Sequence, residues 1–278
     1  MHFKAIHIFP HSGSQIPQEF LNREVSLEDL DLAMQANRDT GFEFVVEELK
    51  KIENHKVFYF PYSRAFCDIN RLRLEHITPD KIFTGHVVPR LTRDEKQQIA
   101  EKYVFPYQQE ILRTIQANPD AYIVHWHSMD SINKGIHTVP QAAASGSMRP
   151  ILQLFSKIDC YKQEFVNYFD TQNIPELVNC NLLSSDMIKQ LSNSLREVLN
   201  KNSLYKEKSE VTIDDPYVLS GEMNGQQISM PMLANMLHAA MNFPIDKHIA
   251  FDIRKDCLNQ KSQLQILKAL LKVINRFE

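Results

Sequence analysis

Two hydrophobic periods alternate along this chain, and their order restricts the fold more than any other feature. Apolar runs of strand length lie at residues 5–9, 56–62, 121–126 and 248–253. Between them stand longer segments with apolar residues every three or four positions, at about 41–53, 93–117, 185–200, 231–242 and 260–276. A strand that must cross a helix before the next strand returns parallel to it. The predicted fold is therefore α/β, a three-layer α/β/α arrangement around a mostly parallel, mixed sheet. The first helix has a candidate start in Asp39-Thr40, and Phe42, Val45, Val46 and Leu49 form its apolar stripe.

At 278 residues and 43% hydrophobic, the chain can build one large core. No repeat or low-complexity block divides it, so residues 1–278 are read as a single domain. Residues 18–38 read as a surface excursion, and 130–148, with Gly135, Pro140 and "AAASGS", as a flexible loop. Residues 201–215 read as a loop or linker, and the region 155–205 as helix-rich cover or contact surface. The net charge of -3 supplies no basic field for nucleic acid or an anionic membrane. Cys67, Cys160, Cys180 and Cys257 form no CxxC pair or dense framework, which fits buried, reduced thiols. The apolar run before Pro10 is too short for a signal peptide, and no stretch approaches a membrane span. The expected location is the cytoplasm.

In an open α/β sheet, ligands bind beyond the carboxyl ends of the strands. Three stretches fall there: "PHSG" at 10–13, "YSRAFCDINR" at 62–71 and "HWHSMD" at 125–130. His11 and His127 would share one rim, and two imidazoles with a carboxylate are a common catalytic zinc set. Local packing of each histidine is the competing reading. Gly13 would allow a tight turn under the ion. His125, two positions before His127 on the same strand face, is either a further ligand or a group that orients one. The carboxylate is Asp39 or Glu43, with Asp39 as a plain helix cap in competition.

Arg64, Asp68, Asn70 and Arg71 sit close together in sequence after the second strand. A guanidinium offers parallel donors to a carboxylate, so the group suits a small acidic substrate; a structural Arg-Asp network is the alternative. Asp252 ends the last strand beside Arg254 and Asp256. It is a candidate general base, or a salt-bridged strand terminus.

Seven segments in this order resemble the N-formylglutamate amidohydrolase family: "PHSG" at 10–13, "RDTGFEFVVEEL" at 38–49, "YSRAFCDINR" at 62–71, "EKYVFPYQQEIL" at 101–112, "HSM" at 127–129, "DDPYVLSG" at 214–221 and "FDIRKDCL" at 251–258. The resemblance implies a fold like that of the zinc carboxypeptidases. It also implies a metal-dependent hydrolase, with one divalent ion, zinc first among the candidates, that removes the formyl group from N-formylglutamate or a similar N-acyl amino acid with a free carboxylate. His11 and His127 match the metal-binding histidines, Asp39, taken as the third ligand, aligns with an aspartate at the start of the first helix, and Arg64, Asp68, Asn70 and Arg71 match the family's signature. By analogy with the Asn-Arg pair of zinc carboxypeptidases, Asn70 and Arg71 are assigned to the substrate carboxylate. Three departures stand out. Asp252 replaces a glutamate, Gln108 replaces the histidine of "PYH", and His125 stands where an aspartate is frequent. They leave room for another small N-acyl amino acid or peptide as substrate, or for a binding or regulatory protein on a decayed hydrolase scaffold.

Overall fold

A computed structural model describes residues 2–18, 39, 41–64, 66, 67, 69, 92–129, 149–160, 180–201, 211–214, 219–221 and 247–277. The loop at 130–148 and the helix at 231–242 fall outside the described residues, as do Asp68, Asn70 and Arg71 and, but for its first residue, the excursion expected at 18–38.

Strand β1 (Ala5–Phe9) is followed by helix α1 (Glu43–Lys50), strand β2 (His55–Tyr59), helix α2 (Arg93–Ile99), a π-helical segment (Ala100–Val104), helix α3 (Phe105–Gln116) and strand β3 (Tyr122–Met129). Then come strands β4 (Leu152–Phe155), β5 (Lys157–Cys160) and β6 (Cys180–Asn181), helix α4 (Ser185–Asn200), and strands β7 (Val211–Ile213), β8 (Leu219–Gly221) and β9 (His248–Arg254). Helix α5 (Gln260–Arg276) closes the described chain. The main sheet has the order β2-β1-β3-β9-β4-β7, and β6-β5-β8 form a small second sheet. In the main sheet every neighbouring pair is parallel except β4 with β9.

Two expectations are corrected here. The region read as helix-rich, 155–205, carries the short strands β5 and β6 before α4 begins, because short strands without alternation resemble helix segments in the sequence. The polar stretch at 201–215 ends in a strand, β7, where Val211 is buried against the core.

The register divides the sheet residues between two faces. Ala5 and Phe9 share one face with Val124, Trp126, Phe251, Ile253, Leu152 and Leu154, and α1, α4 and α5 bury that face. Trp126 is at its centre, stacked on Phe9 at 5.3 Å and met edge-on by Phe251 at 4.7 Å. On the other face α3 lies over β2, with the Tyr107 ring 5.9 Å from Phe58 and 5.2 Å from Phe60.

The expected helix at 93–117 forms, but with a widened turn. Pro106 has no N–H to continue the ladder, and the Phe105 N–H just before it reaches back five residues to the Ala100 carbonyl. The resulting phase turns Phe105, Gln108, Ile111 and Ile115 inward. Side-chain caps start three helices: a Thr92–Glu95 capping box on α2, Ser184 on α4 and Asn259 on α5.

The strand order 2-1-3 sets the position of the site. The chain leaves β1 for β2 on one side and returns to β3 on the other, so the loops after β1 and β3 diverge and leave a crevice at their carboxyl ends.

Candidate metal centre

Pro10 ends β1, and the chain then runs beside the loop after β2 without diverging from it. Gln15 N–H donates to the Pro61 carbonyl at 2.9 Å, and Ser63 N–H donates to the Gln15 carbonyl at 2.9 Å. The Tyr59 hydroxyl donates to the Ser12 carbonyl at 2.8 Å. A Cβ on Gly13 would lie 2.2 Å from the Pro61 carbonyl carbon. The glycine therefore serves a close approach of two backbones, which corrects the expectation of a tight turn; among the described glycines only Gly41 has positive φ.

Asp39 reaches the same place from the far side. Its N–H donates to the His11 carbonyl at 3.0 Å. Gly41 at φ 96° and the buried Phe42, packed on Phe9 and Trp126, fix the chain that follows. The helix-cap reading fails because α1 begins at Glu43 with Phe42 as N-cap and no side-chain cap bond. Glu43, the other carboxylate considered, is exposed.

His11, Asp39 and His127 converge, with one candidate ligand atom from each lying within 4.8 Å of the others. Asp39 Oδ2 is 3.4 Å from His11 Nδ1 and 3.4 Å from His127 Nδ1. Those distances exceed a charge-assisted hydrogen bond, and Oδ2 is buried with no hydrogen bond among the described residues. Tetrahedral zinc with bonds of about 2.0–2.1 Å would separate neighbouring ligand atoms by about 3.3–3.4 Å, so these groups fit one such ion. Asp39 Oδ1 accepts from Ser128 Oγ at 3.3 Å, which orients the carboxylate. Burial would push the Asp39 carboxyl upward, but the two imidazoles outweigh it and hold the group well below the usual carboxylate range.

Asp252 stands next to this cluster. On β9 it is the register partner of His127 of β3 and of Gln153 of β4, so its side chain leaves the sheet on the His127 side. Burial, with a smaller push from Asp39, raises its carboxyl above the ordinary value; His127, Arg149 and His11 oppose that rise. Arg149 escaped the sequence reading. Because β4 runs antiparallel to β9, its entry lies at the carboxyl rim of β3 and β9, and Arg254 Nη1 donates to the Arg149 carbonyl at 3.1 Å. An arginine directly before an apolar run was the available signal, but the direction of β4 was not legible.

His125 is fully buried one layer below His127, its ring stacked 5.9 Å from His248. It is not in the ligand cluster, and neither ring nitrogen has a hydrogen-bond partner among the described residues. Burial, and then His127, hold its pKa well below the ordinary histidine value. Arg64 is partly buried in the loop after β2, while the rest of its group, Asp68, Asn70 and Arg71, lies outside the described residues. Cys67 and Cys257 are buried free thiols, as expected.

A parallel-sheet switch point lined by two histidines and an aspartate defines an α/β protein with a candidate catalytic metal centre. The family model for N-formylglutamate amidohydrolase matches residues 3–179, and the chain belongs to that family. The solved N-formylglutamate amidohydrolase from Ralstonia eutropha JMP134 is similar at 14% identity, with a TM-score of 0.62 over 99% of this chain and 93% of that one. A gene product of Agrobacterium tumefaciens is similar at 16% identity, with a TM-score of 0.56 over 99% of this chain and 90% of that one. At those identities the likeness concerns the fold. No curated protein matches the chain.

Proposed function

We propose that this protein is a metal-dependent amidohydrolase that removes the formyl group from N-formylglutamate or a closely similar N-acyl amino acid. The observation that carries the reading is the convergence of His11, Asp39 and His127 at the switch point. Family membership supplies the reaction class. A zinc ion held by these three groups would polarise the amide carbonyl and lower the pKa of water.

This chain's own residues account for the remaining steps. Asp252, beside His127, accepts the proton of the attacking water and returns it to the leaving amine, and its raised pKa suits both directions of transfer. Arg149 bears positive charge on the same rim and moderates the charge of Asp252. Arg64, Asn70 and Arg71, with Asp68, bind the free carboxylate of the substrate, as their sequence pattern suggests. The protein is read as a single domain of cytoplasmic type. Among the described residues no helix is long and apolar enough to cross a membrane.

The test is formate release from N-formylglutamate by the zinc-loaded protein and by Asp252→Asn. The expected result is turnover by the wild type and a kcat lowered about 10²–10⁴-fold in the variant, with zinc retained. Equal turnover by both proteins would remove Asp252 from the mechanism. Absence of turnover on N-formylglutamate and on other short N-acyl amino acids would contradict the enzyme reading.

A further inference from the structure

Three polar side chains cross one face of the main sheet in a row. His127 of β3 pairs in register with Asp252 of β9, and Asp252 pairs with Gln153 of β4, which is fully buried. Side chains paired in register leave the sheet on the same side, so the row runs from the metal ligands, past the candidate base, to β4. Arg149 stands at the rim end of that row, four residues before Gln153, on the strand that enters at the carboxyl ends of β3 and β9.

A second arginine fixes its backbone. Arg254, at the end of β9, donates its N–H to the Ile151 carbonyl at 2.9 Å and its Nη1 to the Arg149 carbonyl at 3.1 Å. Its Nε donates to Asp256 Oδ1 at 2.8 Å, so the Arg254 guanidinium is occupied in closing the rim. The partly buried Arg149 directs its charge into the site, where the Asp252 carboxyl feels it.

The strand order sets the span between this charge and the metal ligands. Those ligands come from β3 and from the segments after β1, whereas Arg149 enters on β4, with β9 between. Two strand spacings are about 9.6 Å. A guanidinium and a carboxylate paired through two hydrogen bonds have their carbons about 4 Å apart, which leaves roughly 5–6 Å for the substrate between them. With the formyl carbon at the ligand cluster, an α-carboxylate three bonds away reaches only about 3–4 Å, whereas a carboxylate ending a glutamate-length side chain, five bonds away, reaches about 6 Å.

We propose that Arg149 is a specificity-determining residue: its guanidinium pairs with a second carboxylate at the end of the substrate's side chain and so selects acidic N-acyl amino acids of glutamate length. The inference rests on the reading of the centre as an amidohydrolase. An amide of the same shape offers one acceptor oxygen and no charge, so exchanging acid for amide isolates the pair.

The test compares kcat/KM for formate release from N-formylglutamate and from N-formylglutamine, its uncharged isostere, with bound zinc and melting temperature as controls. The wild type is expected to favour the acid about 10–100-fold. Arg149→Met should bring that ratio to within about threefold of unity, and Arg149→Lys, which restores the charge without the planar fork, should give an intermediate ratio. Any effect of Arg149 on Asp252 is common to both substrates and cancels in the ratio. A wild type with no preference for the acid, or a preference that survives in Arg149→Met, would overturn the proposal and leave the amidohydrolase reading standing. If the wild type cleaves neither these nor other short N-acyl amino acids, that reading fails by itself, and calorimetric binding of glutamate and glutamine to the zinc-loaded protein decides the role of Arg149. A preference for glutamate that is lost in Arg149→Met supports the charge pair, and an equal ratio in the two proteins refutes it.

Discussion

Asp39 remains charged where burial alone would neutralise it, because two imidazole nitrogens face its outer oxygen. His7 presents the opposite case. Fully buried on the core face, it accepts from the Trp126 indole N–H at 3.1 Å through Nδ1, and its Nε2 lies 2.9 Å from His55 Nδ1. The indole can only donate, so Nδ1 is unprotonated and Nε2 carries the hydrogen that His55 receives. Burial, and then His55, hold the His7 pKa well below its ordinary value. The unfolded chain therefore binds a proton below about pH 6.5 that the folded chain refuses, and stability present above that pH is lost as pH falls. His125, shifted in the same direction, adds to this slope. Equilibrium unfolding of wild type and His7→Leu at pH 7.5 and 5.5 tests the argument. The variant should lose about 1–3 kcal/mol at pH 7.5, because the Trp126 N–H is left unpaired, and should show a smaller fall toward pH 5.5. An identical fall in the two proteins would show that His7 does not titrate as argued.

At the scale of elements, the loops after β1 and β2 behave as one unit joined through Gln15, Tyr59 and Gly13. Gly13→Ala would force a Cβ against the Pro61 backbone, which has no flexible end to yield. The expected outcome is a destabilisation of about 1–3 kcal/mol by chemical denaturation, with formate release reduced because His11 lies two residues away. Wild-type stability and turnover would refute the close-approach account. The glycine was visible in "PHSG", but its purpose was not, since a backbone meeting a distant backbone leaves no local pattern. Likewise Asp39 reads as a cap from its neighbours alone; only the start of α1 at Glu43 and the His11 carbonyl bond show its real direction. Helices α4 and α5 were legible at their observed bounds, since each has a strong 3.6-residue stripe and a polar cap.

For the whole molecule, strand–helix alternation predicted the mostly parallel sheet, which would put His11 and His127 on one rim if their strands were near neighbours, as β1 and β3 are. The pairing order was not legible. Nothing local to β4 says that it runs against β9, and that reversal brings Arg149 beside Asp252. The central claim is that the switch point of this sheet holds a catalytic metal ion through residues from three separate segments. Elemental analysis of the purified protein, compared with a folded His11→Ala/His127→Ala double variant, tests it most directly. The account predicts about one zinc per chain in the wild type and none in the variant. No metal in either after zinc is supplied, or equal zinc in both, would contradict it.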